Sequence, residues 1–215
     1  ANITDEDALN VHIEKNIPSE GGLGGGSSDA AAALIGAARL WGIPENDPMI
    51  EDAAHELGSA VAFFLHGGCA YFTGAGERFG HALAAMKKPL VLVKPEAGVS
   101  TAEAYRTFDA APQEIEQAAA AAAEKAQLAG EVPLLNNLAP AAEDVLPELA
   151  DVRAWLHRQE GVEASRLCGS GSTTFAVCRN FNAACSLAAA AQSRGWWART
   201  TTFGSLKAAV VPEQH

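Results

Sequence analysis

Apolar and polar positions alternate in several short stretches of the chain and recur at helical spacing in others. Residues 9–15, Leu-Asn-Val-His-Ile-Glu-Lys, alternate strictly, which is typical of a strand with one buried face. Short apolar runs predict further strands at 61–65, 69–73, 90–94, 174–178, 196–202 and 207–211, with Gly67-Gly68 as a hairpin turn. Longer periodic stretches predict helices at 30–41, 48–57, 102–108, 112–128, 141–159 and 183–194. Strands and helices in this order indicate an α+β fold.

A glycine-rich stretch connects the first predicted strand to the first predicted helix. Its residues are Gly21, Gly22, Leu23, Gly24, Gly25, Gly26, Ser27 and Ser28. Glycine lets backbone N–H groups approach an anion without interference from Cβ, and a helix start adds unpaired N–H groups and the positive end of the dipole. Ser27 or Ser28 is expected to cap the helix, with Asp29 in its first turn. The stretch therefore predicts a phosphate-binding loop rather than a flexible linker.

Two common nucleotide-binding motifs do not fit this stretch. The glycine spacing resembles a P-loop, but Ser27 stands where the P-loop lysine would be. A dinucleotide fingerprint requires Gly-x-Gly-x-x-Gly, and Gly22 and Gly24 are followed by Ser27 instead. A different class of phosphate-binding protein is indicated.

Residues 15–31, which include the glycine-rich stretch, closely resemble the second motif of the GHMP kinases. The resemblance continues through blocks at 58–68, 73–77, 95–105 and 134–138, and 168–176 is similar to the family's third, glycine-rich motif. This last motif implies a second loop at the active site, formed by Gly169, Ser170, Gly171 and Ser172. A glycine turn that only starts a strand is the alternative interpretation.

The resemblance implies the GHMP kinase fold. Residues 1–95 are expected to form an incomplete amino-terminal, ATP-binding domain of the ribosomal-protein-S5-like type. Residues 96–215 are expected to form a ferredoxin-like carboxy-terminal domain. The order of the strands comes only from the resemblance, because periodicity does not determine it.

The resemblance also implies an activity. The motifs are most similar to those of family members that transfer the γ-phosphate of ATP to the 2-hydroxyl of 4-diphosphocytidyl-2-C-methyl-D-erythritol, in non-mevalonate isoprenoid biosynthesis. ATP and this small molecule are the expected partners, and Mg²⁺ is expected with ATP, with no protein ligand assigned to it. Tyr105 is the candidate for stacking on the cytosine base, and a tyrosine of the core is the alternative.

Departures from the family's pattern leave two other functions open. Ala60 stands where the resemblance implies an aspartate that takes or orients the proton of the substrate hydroxyl, and a methyl group cannot accept a proton. The family's lysine-bearing amino-terminal segment also has no counterpart in the sequence. We therefore expect little or no kinase activity, and little gain from Ala60→Asp alone. The alternatives are a nucleotide-binding protein without turnover, or another GHMP kinase of the mevalonate or homoserine type.

Composition narrows the class of partner. The 215 residues carry a formal net charge of −11, which disfavours nucleic acid because a phosphate backbone requires a basic surface. No apolar run reaches the length of a membrane span, and residues 1–7 lack the basic and apolar regions of a signal peptide. We therefore expect a cytoplasmic protein. An uncovered amino-terminal domain would leave an apolar face or sheet edge for self-association or for pairing with another chain.

Overall fold

The computed structural model describes residues 9–74, 76 and 78–209. Its helices are α1 (Gly25–Leu40), α2 (Pro48–Leu57), α3 (Ser59–His66), α4 (Thr101–Ala110), α5 (Gln117–Lys125), α6 (Ala139–Val145), α7 (Glu148–His157) and α8 (Phe181–Gln192). Its strands are β1 (Cys69–Thr73), β2 (Arg78–Leu83), β3 (Pro89–Lys94), β4 (Val162–Leu167), β5 (Thr174–Cys178) and β6 (Trp197–Thr202). None of the helices in these ranges is long and apolar enough to cross a bilayer.

The chain divides into two compact units, of which the first contains the described residues of 1–16, 24–83 and 205–215. In this unit α1, α2 and α3 pack around the fully buried alanines Ala31, Ala54 and Ala62. Such small side chains let helices approach closely, since interaxial distance depends on the residues at the contact. Strands β1 and β2 form an antiparallel pair in the same unit.

The second unit contains residues 17–23 and 84–204. Its strands form one antiparallel sheet in the order β4-β5-β3-β6. Helices α4 to α7 occur between β3 and β4 along the chain, and α8 occurs between β5 and β6. This βαββαβ order and strand arrangement are those of a ferredoxin-like domain, as the resemblance implied.

Strand β3 lies inside that sheet and pairs with β5 on one edge and β6 on the other. Its sequence is almost continuously apolar, and Val91 and Val93 are fully buried. These valines belong to the core cluster that also contains Trp155 of α7 and Leu187 of α8. The strand ends at Lys94, which is only 5 % exposed.

The predicted strand at 61–65 is wrong, because Ser59–His66 forms helix α3. A short apolar run fits a buried helix as well as a buried strand, and periodicity alone does not separate them. Gly67 has a φ of 69° and ends this helix, so Gly67-Gly68 joins α3 to β1 and is not a hairpin turn.

Residues 9–15 do not form the predicted strand. Leu9, Val11 and Ile13 are 41, 60 and 50 % exposed. A strand needs a neighbour for its backbone hydrogen bonds, and no strand in the described part of the chain pairs with this segment. The alternating pattern therefore indicates a row of apolar side chains, but it does not show what covers them.

Two of the predicted helices have different bounds in the structure. The helix predicted at 112–128 covers only Gln117–Lys125. The helix predicted at 141–159 is two helices, α6 and α7, with Pro147 at the start of the second. Proline has no N–H to donate and disfavours a helical residue before it, and Leu146 accordingly leaves the helical conformation with a φ of −134° and a ψ of 90°.

Two strand predictions are confirmed with their bounds unchanged: 69–73 is β1 and 174–178 is β5. The helix predicted at 48–57 is confirmed as α2. Strands β2 and β4 were not predicted, because β2 contains Gly80 and β4 contains charged residues among its apolar ones. Residues 207–209 form no strand, and 210–211 of that prediction lie outside the described residues.

The compact units do not follow the domain boundary expected at 95–96. Strand β3 belongs to the second unit, and so does the segment 17–23. The reason is pairing, because β3 hydrogen-bonds only with strands of the second unit. As a division between family domains, the boundary stays a prediction.

Candidate active site

The glycine-rich stretch ends in the amino terminus of α1. The helix begins at Gly25, and Gly24 before it has a left-handed φ of 68°. The first intrahelical bond of this turn runs from Ser28 N to Gly24 O, at 2.9 Å. The N–H groups of Gly25, Gly26 and Ser27 precede that bond and so lack an acceptor within the helix. With the dipole of 16 residues behind them, they form an arrangement suited to an anion.

The predicted serine cap of this helix is wrong. Gly24 is the N-cap, and no side chain caps the helix. The hydroxyl of Ser28 instead donates to Gly25 O at 2.8 Å, inside the first turn. Asp29 lies beyond that turn and forms an ion pair with Lys15. The amino terminus is therefore left open by its own side chains.

Two features of the first unit favour glycine at position 24. Its positive φ is strained for any residue with a Cβ. A Cβ there would also lie 2.8 Å from the ring of Phe64. By contrast, a Cβ on Gly26 would meet nothing within 4 Å.

Within the second unit, the first residues of the glycine stretch pack against the loop at 168–173. A Cβ on Gly22 would lie 2.0 Å from Cys168 O, so only glycine fits there. Ser172 N donates to Glu20 O at 3.0 Å, and Thr173 N donates to Gly21 O at 3.1 Å. The structure thus brings together parts of the two loops that the sequence assigned to the active site.

The second loop is held by side chains that the sequence analysis did not single out. Asn136 Nδ2 donates to Leu167 O at 2.9 Å and to Gly169 O at 2.8 Å. The hydroxyls of Thr101 and Ser170 are 2.9 Å apart and hydrogen-bonded. Asn136 and Thr101 both lie in blocks that carry the family resemblance, which was the available signal for them.

The serine side chains of this loop are hydrogen-bonded to other residues of the second unit. Ser170 is 8 % exposed and Ser172 is fully buried. Ser172 Oγ donates to Ala97 O at 2.9 Å. The loop therefore supports the glycine stretch through its own hydrogen bonds.

Ala60 is exposed in the first turn of α3, where a carboxylate would reach solvent or a ligand. Its methyl group offers no proton acceptor. Glu20 and Asp29 are the acids that flank the glycine stretch in sequence, and Asp29 forms an ion pair with Lys15. No general base is assigned among these residues.

Tyr105 lies on α4 and is 51 % exposed, so it is not a core residue. The helix is capped by Ser100 Oγ, which accepts from Glu103 N at 3.4 Å. The ring is accessible from solvent, and its role in stacking on a base stays a prediction.

The thiol of Cys168, beside the second loop, is not reactive. Burial raises the pKa of the Cys168 thiol to about 12, so it stays neutral at physiological pH. No group of three or more His, Cys, Asp or Glu in the described residues could hold a metal ion. Ala75 and Glu77 of the block at 73–77 lie outside the described residues.

This geometry agrees with comparisons to protein families. Residues 1–68 match the model of the GHMP kinases N terminal domain, and residues 113–195 match that of the GHMP kinases C terminal domain. The two matches together cover more than half of the chain. The chain belongs to the GHMP kinase family.

Two curated proteins that share one name are similar to most of this chain. A 4-diphosphocytidyl-2-C-methyl-D-erythritol kinase of Desulfitobacterium hafniense is 39 % identical over 206 residues, which cover 92 % of this chain and 71 % of that protein. A kinase of the same name from Pelotomaculum thermopropionicum is 37 % identical over 183 residues, which cover 83 % and 63 %. The chain spans about two thirds of the length of these relatives.

Solved structures give the same picture. A crystal structure of 4-(cytidine 5′-diphospho)-2C-methyl-D-erythritol kinase matches with a TM-score of 0.69 and 33 % identity, over 88 % of this chain and 68 % of that one. A homoserine kinase from Cytophaga hutchinsonii matches with a TM-score of 0.63 and 18 % identity, over 89 % and 68 %. The second likeness shows the fold alone.

Proposed function

We propose that the chain is an ATP-dependent kinase that phosphorylates the 2-hydroxyl of 4-diphosphocytidyl-2-C-methyl-D-erythritol in non-mevalonate isoprenoid biosynthesis. The observation that carries the proposal is the open amino terminus of α1, preceded by a glycine stretch in which Gly22 and Gly24 cannot be replaced without strain. The two curated relatives named for this activity support the choice of substrate.

In this proposal the backbone does most of the work of binding ATP. Phosphoryl transfer depends mainly on positioning and on stabilising charge. The N–H groups of Gly25, Gly26 and Ser27 would bind phosphate oxygens, with the helix dipole adding to the attraction. The ring of Tyr105 would stack on the cytosine, a contact worth about 1–3 kcal/mol per base in single-strand binders.

Mg²⁺ would accompany ATP and neutralise charge on its phosphates. The described residues contain no metal-binding cluster, so the phosphates themselves would supply most of its ligands. No step of the reaction is assigned to a protein-bound metal ion.

A second function is favoured by Ala60. Without a carboxylate at that position the chain lacks the general-base contribution, which is worth about 10²–10⁴-fold in rate. We therefore keep a nucleotide-binding protein with little or no turnover as the alternative. Both functions are proposed for a cytoplasmic protein, in which an exposed apolar segment such as 9–15 would favour self-association.

Two measurements separate these functions. MgATP binding is measured by calorimetry, and ADP release is measured with 4-diphosphocytidyl-2-C-methylerythritol, homoserine or mevalonate as acceptor. ADP release with the diphosphocytidyl substrate supports the kinase, and binding without release supports the alternative. Release with homoserine or mevalonate alone would assign another substrate. Absence of ATP binding would overturn both functions.

A further inference from the structure

Lys94 is a buried lysine that the proposed mechanism does not use. It ends β3, and only 5 % of the residue is exposed. Its Nζ donates to three backbone carbonyls in succession: Pro95 O at 3.1 Å, Glu96 O at 3.3 Å and Ala97 O at 3.1 Å. An ammonium has three donors and no acceptor, so these three oxygens satisfy it completely.

In the described part of the chain no carboxylate contacts this ammonium directly, although Glu20 and Glu148 are near enough to favour its charged form. Desolvation is the largest influence and lowers the pKa of Lys94 from its ordinary value. Burying a charge costs free energy unless hydrogen bonds replace its hydration, and here three backbone carbonyls do so.

The carbonyls that Lys94 holds lead directly to the glycine stretch. Ala97 O accepts from both Lys94 Nζ and Ser172 Oγ, so the two side chains meet at one oxygen. Ser172 N in turn donates to Glu20 O at 3.0 Å. A continuous chain of hydrogen bonds therefore runs from the lysine to the residue that precedes Gly21.

The lysine also lies directly against the stretch. A Cβ on Gly21 would be 3.7 Å from Lys94 Cδ and 3.0 Å from Thr173 Oγ1. Ser27 stands where a P-loop would have its lysine, so the stretch has no cation of its own. Lys94, at the end of β3, lies beside the start of the stretch.

We infer that Lys94 is a positioning residue for the phosphate-binding loop. Its ammonium fixes the turn at 95–97, and Ser172 transmits that position to Glu20, the residue directly before Gly21. The inference rests on the proposed binding of ATP.

The test compares the unmodified protein with Lys94→Met, Lys94→Arg and Lys88→Met. Lys88 is an exposed lysine just before the same strand, paired with Glu163, so its replacement makes the same change in net charge at a distant position. MgATP dissociation constants are measured by calorimetry, below the melting temperature of each variant. We expect Lys94→Met to weaken binding roughly tenfold or more, Lys94→Arg to restore most of it, and Lys88→Met to leave it unchanged.

The controls separate positioning from simple stability. If folded Lys94→Met binds MgATP as tightly as the unmodified protein, the inference is wrong and the lysine is structural only. If Lys94→Met does not fold, Ser172→Ala tests the same path, since it removes the link to Ala97 and leaves the charge in place. We expect it to weaken binding roughly threefold, and unchanged affinity in it would contradict the inference. If the unmodified protein itself fails to bind, the proposed function falls first and this inference falls with it.

Discussion

The amino terminus of α1 and the loop at 169–172 are both glycine-rich, but they use their polar groups differently. At α1 the first N–H groups have no acceptor in the helix, and Gly26 is exposed. In the second loop Ser170 and Ser172 are buried and hydrogen-bonded within the unit. The first arrangement is suited to a ligand, and the second is suited to holding neighbouring backbone in place.

The third motif of the sequence supports the start of the glycine stretch, and its part in the active site stays a prediction. Gly169 and Gly171 have positive φ values of 52° and 91°, as expected for a tight turn. The turn presents its carbonyl and amide groups to Asn136 and to the start of the glycine stretch. Substitutions in or around this loop should therefore act first on stability, whereas those at the start of α1 should act on binding.

The largest expected effect on stability is at the contact between the two loops. Gly22→Ala places a Cβ 2.0 Å from Cys168 O at a φ of 67°, and the backbone has no room to move away cheaply. We expect a loss of at least about 3 kcal/mol in the free energy of unfolding, measured by urea titration. Gly26→Ala is the control, because nothing lies within 4 Å of its Cβ, and it should be neutral or slightly stabilising. Equal stability of the two variants would contradict the packing of the loops.

Asn136 should have the next largest effect. Asn136→Ala removes three hydrogen bonds: those that Nδ2 donates to Leu167 O and Gly169 O, and the one that Oδ1 accepts from Leu138 N. We expect a loss of about 1–3 kcal/mol by urea titration. The neighbouring Asn137 makes one hydrogen bond of 3.2 Å to Gln113 O, so Asn137→Ala should lose less than about 1 kcal/mol. A larger loss at Asn137 than at Asn136 would show that the loop is held in some other way.

Thr173 should give the smallest effect. Its Oγ1 is buried, with no hydrogen-bond partner in the described part of the chain. Thr173→Val keeps the shape and removes the unpaired hydroxyl, so stability should stay the same or rise by up to about 1 kcal/mol. Thermal melting with and without MgATP checks this. A destabilisation above about 1 kcal/mol would mean that the hydroxyl has a partner that the hydrogen-bond pattern does not reveal.

The sequence motifs correctly predicted the GHMP kinase fold, whereas the assignment of both glycine loops to the active site stays a prediction. Glycine patterns identified both loops, because close backbone approach and positive φ leave few alternatives to glycine. The start of α1 was misplaced, since a serine hydroxyl can donate back to its own turn as easily as it can cap the helix. Asn136 was not predicted because its two acceptors are backbone oxygens 31 and 33 positions away. Only the folded chain shows such a contact.

The proposed binding of ATP depends most on the open amino terminus of α1, and a matched pair of substitutions in that helix tests it. Gly26 and Gly36 both lie in α1, and a Cβ added at either position would meet nothing within 4 Å. Only Gly26 lies among the unpaired N–H groups. Calorimetric titration with MgATP should show at least tenfold weaker binding for Gly26→Val, and no more than about a twofold change for Gly36→Val. Equal affinities in the two variants, or no binding by the unmodified protein, would contradict the account.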